Sequence, residues 1–302
     1  MSNTEQRARA DVAAGTKQAP QQRRSAKTMV AVVGSSTLYH VVMVLLSLVY
    51  IVPLGWMVMS SFKTKREIFD SPFSLPAEPD FSTWAKAWDR GDLGGYILNS
   101  FIVTTVAVAL ILLCALAAAY AFSRFEFKFK GLLLAPFILG LLLPVQSYLT
   151  AQSRIFDSFY LLNTRWVLMI SYAGLGLSLA VFLLKGYLDS MPKEVFEAAR
   201  ADGAGDFRML AQIVLPLMKP GISTVAVFSV LSAWNEFLLA MLYVTDDALR
   251  TIPAGLLAFT ARHATGYPML FAALSMITLP VILVYTVFHK QVIAGVTEGS
   301  VQ

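Results

Sequence analysis

The side chains that could catalyse a reaction or bind a metal are few and lie far apart. Cys114 is the one cysteine and lies in an apolar block, while His40, His263 and His289 are scattered along the 302 residues. A single cysteine forms no intrachain disulfide and no cysteine-based metal site. Neither a zinc-binding HExxH pattern nor a GxxxxGK[ST] phosphate loop occurs in the sequence. The sequence therefore predicts no metal, no bound cofactor and no ATPase site, and we do not expect the chain to be an enzyme.

Two other groups of residues have a distinctive type and spacing. The first is the segment 197–203, which reads EAARADG and is followed by IVLP at 213–216. The second is Glu236, which interrupts a long apolar run from 220 to 245. A charge within a membrane costs about 2.5–3.5 kcal/mol on insertion scales, so a carboxylate there is a candidate functional group. The chemistry that these residues suggest is contact and binding rather than catalysis.

The composition places these residues in a membrane protein. The chain is 57% hydrophobic and 14% charged, with a mean hydropathy of +0.63. A soluble domain carries about 25% charged residues, so this chain has too little charge to cover a globule. The apolar residues also come in blocks, which excludes an ordinary cytosolic enzyme.

The blocks predict an all-α polytopic membrane protein with about six transmembrane helices. A helix needs about 20 mostly apolar residues to cross the hydrocarbon core. Membrane helices tolerate proline, so Pro53, Pro144 and Pro280 do not remove a span. The predicted spans are about 39–61, 97–121, 131–152, 166–185, 220–244 and 267–288, within a transmembrane domain at 38–290.

The distribution of basic residues predicts that both termini are cytoplasmic. With that orientation, 15 of the 24 Lys and Arg residues lie in inner segments and nine in outer ones, as the positive-inside rule requires. This spread of charge over separate loops gives no nucleic-acid-binding surface. The polar segment 1–37 predicts a disordered cytoplasmic tail, and the segment 291–302 is predicted to be a cytoplasmic C-terminal tail.

The inner loop at 189–219 predicts two short helices joined by a turn. Asp189 or Ser190 can cap the first helix, which contains the helix formers of Lys193–Ala201. Gly203 then allows a sharp reversal, because glycine adopts a positive φ without steric cost. In the second helix, apolar residues recur every three or four positions and form one stripe.

This loop resembles the EAA loop of ABC-importer permease subunits of type I. The resemblance implies a coupling helix that docks into a cleft on a separate ATPase subunit, which would bind ATP and Mg. It also implies that Glu197 meets a basic group on the ATPase and that Ala198 and Ala199 allow the two subunits to approach closely. The implied coupling residues are Glu197, Ala198, Ala199, Gly203, Phe207, Leu210, Ile213, Leu215 and Pro216. Phe207 and Leu210 contact either the ATPase or the permease's own helices.

Three further segments are similar to carbohydrate permeases of the maltose-importer type. They are Trp234-Asn-Glu-Phe237, Asn99-Ser100 and Ala121-Phe-Ser-Arg124, and the segment from Gln291 resembles the tail of the second permease subunit. The resemblance implies a multi-pass bacterial inner-membrane subunit that translocates a sugar or sugar derivative by alternating access. Its implied partners are an unlike second permease, two copies of a cytoplasmic ABC ATPase and an extracytoplasmic solute-binding protein. The candidate residues of the translocation path are Asn99, Trp234, Asn235 and Glu236.

Several alternatives stay open at the level of sequence. Glu236 either lines the path or holds helices together, for instance by pairing with Asn235. The outer loops at 63–92 and 246–267 either receive the binding protein or pack over the helices. An ion-coupled secondary transporter is the alternative function, although one buried carboxylate and no evident repeat argue against it. The identity of the solute is not encoded in these motifs.

Overall fold

The computed structural model describes residues 26–262 and 266–297 of the chain. These residues form helices and loops and contain no β-strand, which confirms the all-α fold class. The chain divides into two compact units, Met1–Gly55 and Trp56–Gln302. Residues 26–55 of helix α1 (Ala26–Ser60) are the described part of the first unit. The last turn of α1, from Trp56, and all the other helices belong to the second unit.

The second unit alternates long apolar helices with short connecting ones. Two 3₁₀ turns, Val145–Ser147 and Asp247–Leu249, lie between them, and α9 contains a π turn over Leu210–Val214. The helices are α2 (Lys65–Asp70), α3 (Ser82–Gly91), α4 (Leu93–Arg124), α5 (Lys130–Leu142), α6 (Leu149–Ser158), α7 (Arg165–Asp189), α8 (Lys193–Ala201), α9 (Asp206–Leu217), α10 (Lys219–Asn235), α11 (Leu238–Tyr243), α12 (Ile252–Arg262) and α13 (Tyr267–Thr297).

Three helices of the described chain are long and apolar enough to cross a membrane on their own. They are Tyr39–Ser60 within α1, α4 and α7. Helices α9 and α10, which meet at an angle of 75°, meet the same criterion together, and α5 and the segment Tyr267–Leu283 of α13 are shorter apolar helices. The total of six spans stays a prediction.

Two of the predicted spans are interrupted. Helix α5 ends at Leu142 because Pro144 follows, and proline drives the residue before it out of the helical region; Leu143 has φ −79° and ψ 124°. The predicted span 131–152 is therefore two helices, α5 and α6, and is corrected accordingly. The predicted span 220–244 is also broken, because Glu236 is extended, with φ −68° and ψ 125°, between α10 and α11.

The ends of the helices correct two predicted boundaries. Helix α1 begins at Ala26, so residues 26–37 are helical rather than disordered; no proline lies between Ala26 and the span to stop the helix. Helix α13 continues to Thr297 and so includes the first residues of the predicted C-terminal tail. The remaining parts of the two tails, 1–25 and 298–302, lie outside the described residues. Helix α4 begins at Leu93 rather than near 97, because Asp92 has a positive φ of 48° and separates it from α3.

The core of the second unit is built on the packing of α4 against α7, the most extensive helix contact in the described chain. Gly176 makes this approach possible, since a Cβ there would lie 2.4 Å from Cδ1 of Ile111. At one end, α8 and α9 pack onto both helices; we call this the α8–α9 end. At the other end, α3 and α12 cover the start of α4; we call this the α3–α12 end.

Candidate functional site

Helices α8 and α9 form a tight reversal at one end of the α4–α7 pair. Gly203 has φ +79°, and its N–H donates to the carbonyl of Arg200 at 3.0 Å. The N–H of Ala204 donates to the carbonyl of Ala199 at 3.0 Å, which completes a Schellman motif. A Cβ on Gly203 would meet no atom within 4 Å. The glycine is therefore needed for its backbone conformation and not for space.

Two of the predicted coupling residues with large side chains, one acidic and one aromatic, are exposed on these helices. Glu197 and Ala198 are exposed on α8, and Glu197 forms no ion pair or side-chain hydrogen bond with the described residues. Phe207, at the start of α9, is 85% exposed. The exposed surface of these three residues is called the docking surface below.

The other predicted coupling residues mostly support this surface from behind. Ala199 is buried, and Leu210 and Ile213 pack against the core shared by α4, α7 and α8. Leu215 is half-buried and Pro216 is exposed at the end of α9. The sequence left open whether Phe207 and Leu210 contact their own helices. The structure separates them, since Leu210 packs inward and Phe207 does not.

Arg124, at the end of α4, attaches α8 to the long helices. Its guanidinium carbon lies 3.3 Å from the ring centroid of the buried Phe196, within the range of a cation–π contact. Its Nη2 also donates to the carbonyl of Leu188 at 2.5 Å. Next to it, the hydroxyl of Ser123 donates to the carboxylate of Asp189 at 2.6 Å. Sequence reasoning saw this segment only as a family resemblance and missed its role.

Glu236 has a structural task at the break between α10 and α11. Its carboxylate accepts hydrogen bonds from the N–H groups of Leu239 at 2.9 Å and Ala240 at 3.2 Å. It therefore caps the first turn of α11, where a negative charge is favourable. The pairing with Asn235, one of the alternatives that the sequence left open, is not formed; the Asn235 amide donates to the carbonyl of Leu231 at 2.8 Å instead.

Asn99 is buried and fully engaged at the α3–α12 end. Its amide nitrogen donates to the carbonyls of Ala248 at 2.8 Å and Arg250 at 3.0 Å, and its oxygen accepts from Nε of Arg165 at 2.8 Å. Ser100 accepts from the N–H of Ile252 at 2.8 Å. The Asn-Ser pair thus joins α4 to α7 and to the start of α12, and we call this group the junction.

The four predicted path residues do not line one cavity. Glu236 borders a small cavity together with Tyr172, Ser229 and Ser232. Trp234 is half-buried against the cluster around the start of α4, and Asn235 is exposed. A cavity of about 750 Å³ lies between α5, α7 and α10, and none of the four residues is among its lining.

Of the two loops predicted to lie outside, the second packs over the helices in part, and the first is mostly exposed. In the second, Ile252, Ala254 and Phe259 of α12 are buried, while Leu257 is exposed. In the first, Glu67 accepts from the N–H groups of Thr64 at 2.8 Å and of Ala77 at 3.0 Å. These hydrogen bonds, the one from Thr64 first, hold the pKa of Glu67 below its usual range.

The described residues contain no group of His, Cys, Asp and Glu side chains that could hold a metal ion. The residues with a distinctive arrangement are therefore the docking surface and its attachment to α4 and α7. The fold and this site are those of a multi-pass membrane protein with a paired-helix surface at one end.

The chain belongs to the family described as "Binding-protein-dependent transport system inner membrane component", which matches residues 105–297. This result confirms the resemblance seen in the EAA loop. The chain is therefore a multi-pass inner-membrane component of a transport system, and its family is that of a permease and not of an enzyme.

Individual relatives extend the match over most of the chain. It is 36% identical over 263 residues to the diacetylchitobiose uptake system permease protein NgcG of Streptomyces coelicolor, covering 86% of this chain and 87% of that protein. It is 30% identical over 251 residues to the sulfoquinovosyl glycerol transport system permease protein SmoH of Agrobacterium fabrum, covering 83% and 88%. A bacterial ABC transporter that imports alginate has the same fold, with a TM-score of 0.74 and 21% identity over 90% of this chain and 99% of that one.

Proposed function

We propose that the chain is the permease subunit of an ATP-driven, binding-protein-dependent importer for a sugar or sugar derivative. The observation that carries the proposal is the docking surface, an exposed acid and an exposed phenyl ring on two short helices anchored to α4 and α7. The names of the relatives support a carbohydrate, since they refer to diacetylchitobiose, sulfoquinovosyl glycerol and trehalose or maltose.

The docking surface would receive a separate cytoplasmic ATPase that binds ATP and Mg. Glu197 has no partner among the described residues and would pair with a basic side chain of the ATPase. Phe207 would enter an apolar pocket, where burial of an exposed phenyl ring contributes about 1.5–3 kcal/mol. Ala198 leaves room between them because its side chain is one methyl group. In this arrangement the α8–α9 end and both termini face the cytoplasm.

The attachment at Arg124 would convert movement of the ATPase into movement of the long helices. Arg124 holds Phe196 of α8 and the end of α7 at the same time. A displacement of α8 would therefore move α4 and α7 with it rather than bend the loop. On this basis we propose transport by alternating access. This chain and an unlike second permease would form the membrane core, and two copies of the ATPase would close beneath it.

The solute would arrive at the α3–α12 end from an extracytoplasmic binding protein. Among the four candidate path residues, Asn99 already uses its amide within the junction, and Glu236 uses its carboxylate to cap α11. Asn235 and Trp234 are therefore the two candidates with surface left for a sugar, through a hydrogen bond and a stacked ring respectively.

The test is uptake by the purified complex in proteoliposomes. The chain is tagged and purified in mild detergent with whatever subunits accompany it, and ATP is enclosed in the vesicles. Labelled diacetylchitobiose, maltose and trehalose are then supplied outside with the binding protein. We expect uptake that requires ATP and a co-purified ATPase. Uptake without ATP, driven by an imposed ion gradient, would contradict the proposal.

A further inference from the structure

The segment after α1 holds two large apolar side chains outside the packed core. Phe73 is 79% exposed and Leu75 is 80% exposed, on a turn with Pro72 before them and Pro76 after them. Removing apolar side chains of this size from water is favourable. The surface formed by Phe73 and Leu75 is called the apolar tip below.

The turn that carries the apolar tip is held firmly from beneath. The ammonium group of Lys63, which is buried, donates to the carbonyls of Ser71 at 3.0 Å and Pro72 at 2.9 Å. The N–H and the hydroxyl of Ser74 both donate to the carbonyl of Ser71. The orientation of the apolar tip is therefore built into the fold and does not result from a loose loop.

Two helix ends give the depth of this turn relative to the membrane. The indole N–H of Trp56 donates to the carbonyl of Pro72 at 2.8 Å. Trp56 lies four residues before Ser60, where α1 ends, a distance of about 6 Å along the helix. Its ring also packs on Phe271 with 5.1 Å between centroids, and Phe271 lies four residues inside the start of α13. Both helices therefore place the turn about one helical turn below their ends.

A neighbouring contact shows that the segment runs back along α13. Phe69, at the end of α2, packs on Tyr267, the first residue of α13, with 5.2 Å between centroids. Phe69 thus lies beside Tyr267, at the start of α13. Three residues later, Pro72 is bound to Trp56, which packs on Phe271, one helical turn further along α13. The polar interface of a bilayer is about 5–8 Å deep on each side, so this descent ends within it.

We propose that the apolar tip inserts into the lipid interface on the α3–α12 side and anchors the segment 62–92 to the membrane surface. Phe73 and Leu75 contact the upper acyl chains, and the buried Lys63 holds the turn that presents them. Phe and Leu are typical of the apolar face of helices that lie in the bilayer interface. The anchor goes beyond the proposed transport function and depends only on the chain being a membrane protein.

The test uses the full chain in its purified complex, reconstituted in phosphatidylethanolamine and phosphatidylglycerol nanodiscs. In a Cys114→Ser background, Phe73→Cys and Leu75→Cys are each labelled with an environment-sensitive fluorophore. Glu78→Cys, exposed in the same segment, is the matched control. We expect blue-shifted emission at positions 73 and 75 and a larger loss of intensity than at 78 when the lipids are brominated high on the acyl chain.

Two outcomes would overturn the proposal. Emission at 73 and 75 that matches position 78 would place the apolar tip in water. Blue-shifted emission without quenching by brominated lipid would show that another protein, such as a second permease or a binding protein, covers it. As a further check, Trp56→Phe removes the hydrogen bond to Pro72 but keeps an aromatic ring, and we expect it to reduce the quenching at position 73.

Discussion

Phe207 gives the sharpest quantitative prediction, because its side chain is 85% exposed and contributes almost nothing to the packing of the permease itself. If its ring enters a pocket of the ATPase, nearly all of its apolar surface is buried on docking, which contributes about 1.5–3 kcal/mol. Since about 1.4 kcal/mol corresponds to a tenfold change in affinity, Phe207→Ala should raise the Kd for the ATPase by about 10- to 150-fold. The thermal stability of the permease should stay unchanged.

The assay titrates the co-purified ATPase onto permease complexes that are stripped of it, immobilised in nanodiscs. Phe129→Ala is the matched control, because Phe129 lies at the same end between α4 and α5 and is 73% exposed but lies outside the docking surface. An unchanged Kd for Phe207→Ala would refute the assignment of this ring to the interface. An equal loss in Phe129→Ala would show that the effect is not specific to α9.

The remaining predictions concern the attachment, the turn, the helix break and the first loop. Arg124→Gln should lower the amount of solute moved per ATP hydrolysed while the ATPase stays bound, and Arg124→Lys should give a value between those of the parent and Arg124→Gln. An unchanged ratio of solute to ATP would exclude the attachment role. Gly203→Val should also uncouple transport from hydrolysis, since a left-handed backbone costs a residue with a side chain about 1–2 kcal/mol, and Gly203→Ala should be milder. Glu236→Ala should lower the melting temperature of the assembled complex more than Glu236→Gln does, because two N–H groups lose their acceptor; a normal melting curve with lost transport would favour a path role instead. The pKa of Glu67 is lowered in the folded loop, so its contribution to the stability of the loop is present above the ordinary carboxylate pKa and is lost on acidification. Proteolysis of the loop should therefore increase at low pH in the parent protein. The Glu67→Gln variant should show no such pH dependence.

Sequence patterns sufficed for the features that depend on local chemistry. Uninterrupted apolar runs predict the positions of α4 and α7, because a bilayer selects for length and apolarity alone. The reversal at Gly203 follows from one glycine between two short helical patterns. The spacing within one loop also predicts the docking surface, and its contact with an ATPase stays a prediction.

The features that sequence reasoning missed depend on contacts between distant segments. Arg124 and Phe196 are far apart in the chain, and no periodicity indicates that a guanidinium stacks on that ring. The engagement of Asn99 with Arg165 and with carbonyls near 250 is likewise invisible in a single sequence. The break at Glu236 was hidden because the run around it is apolar, and hydropathy does not report backbone direction.

Taken together, these contacts indicate where the chain is stiff and where it can move. Helices α4 and α7 are tied to α8 at one end through Arg124 and to each other at the opposite end through Asn99 and Arg165. The interruptions lie elsewhere, after α5 at Leu143 and between α10 and α11 at Glu236. We therefore expect a push on α8 to displace α4 and α7 as one body, with changes of shape concentrated at the two breaks. Distances measured between spin labels on α4 and α7 should then stay constant through the ATP cycle, whereas distances from α7 to α11 should change.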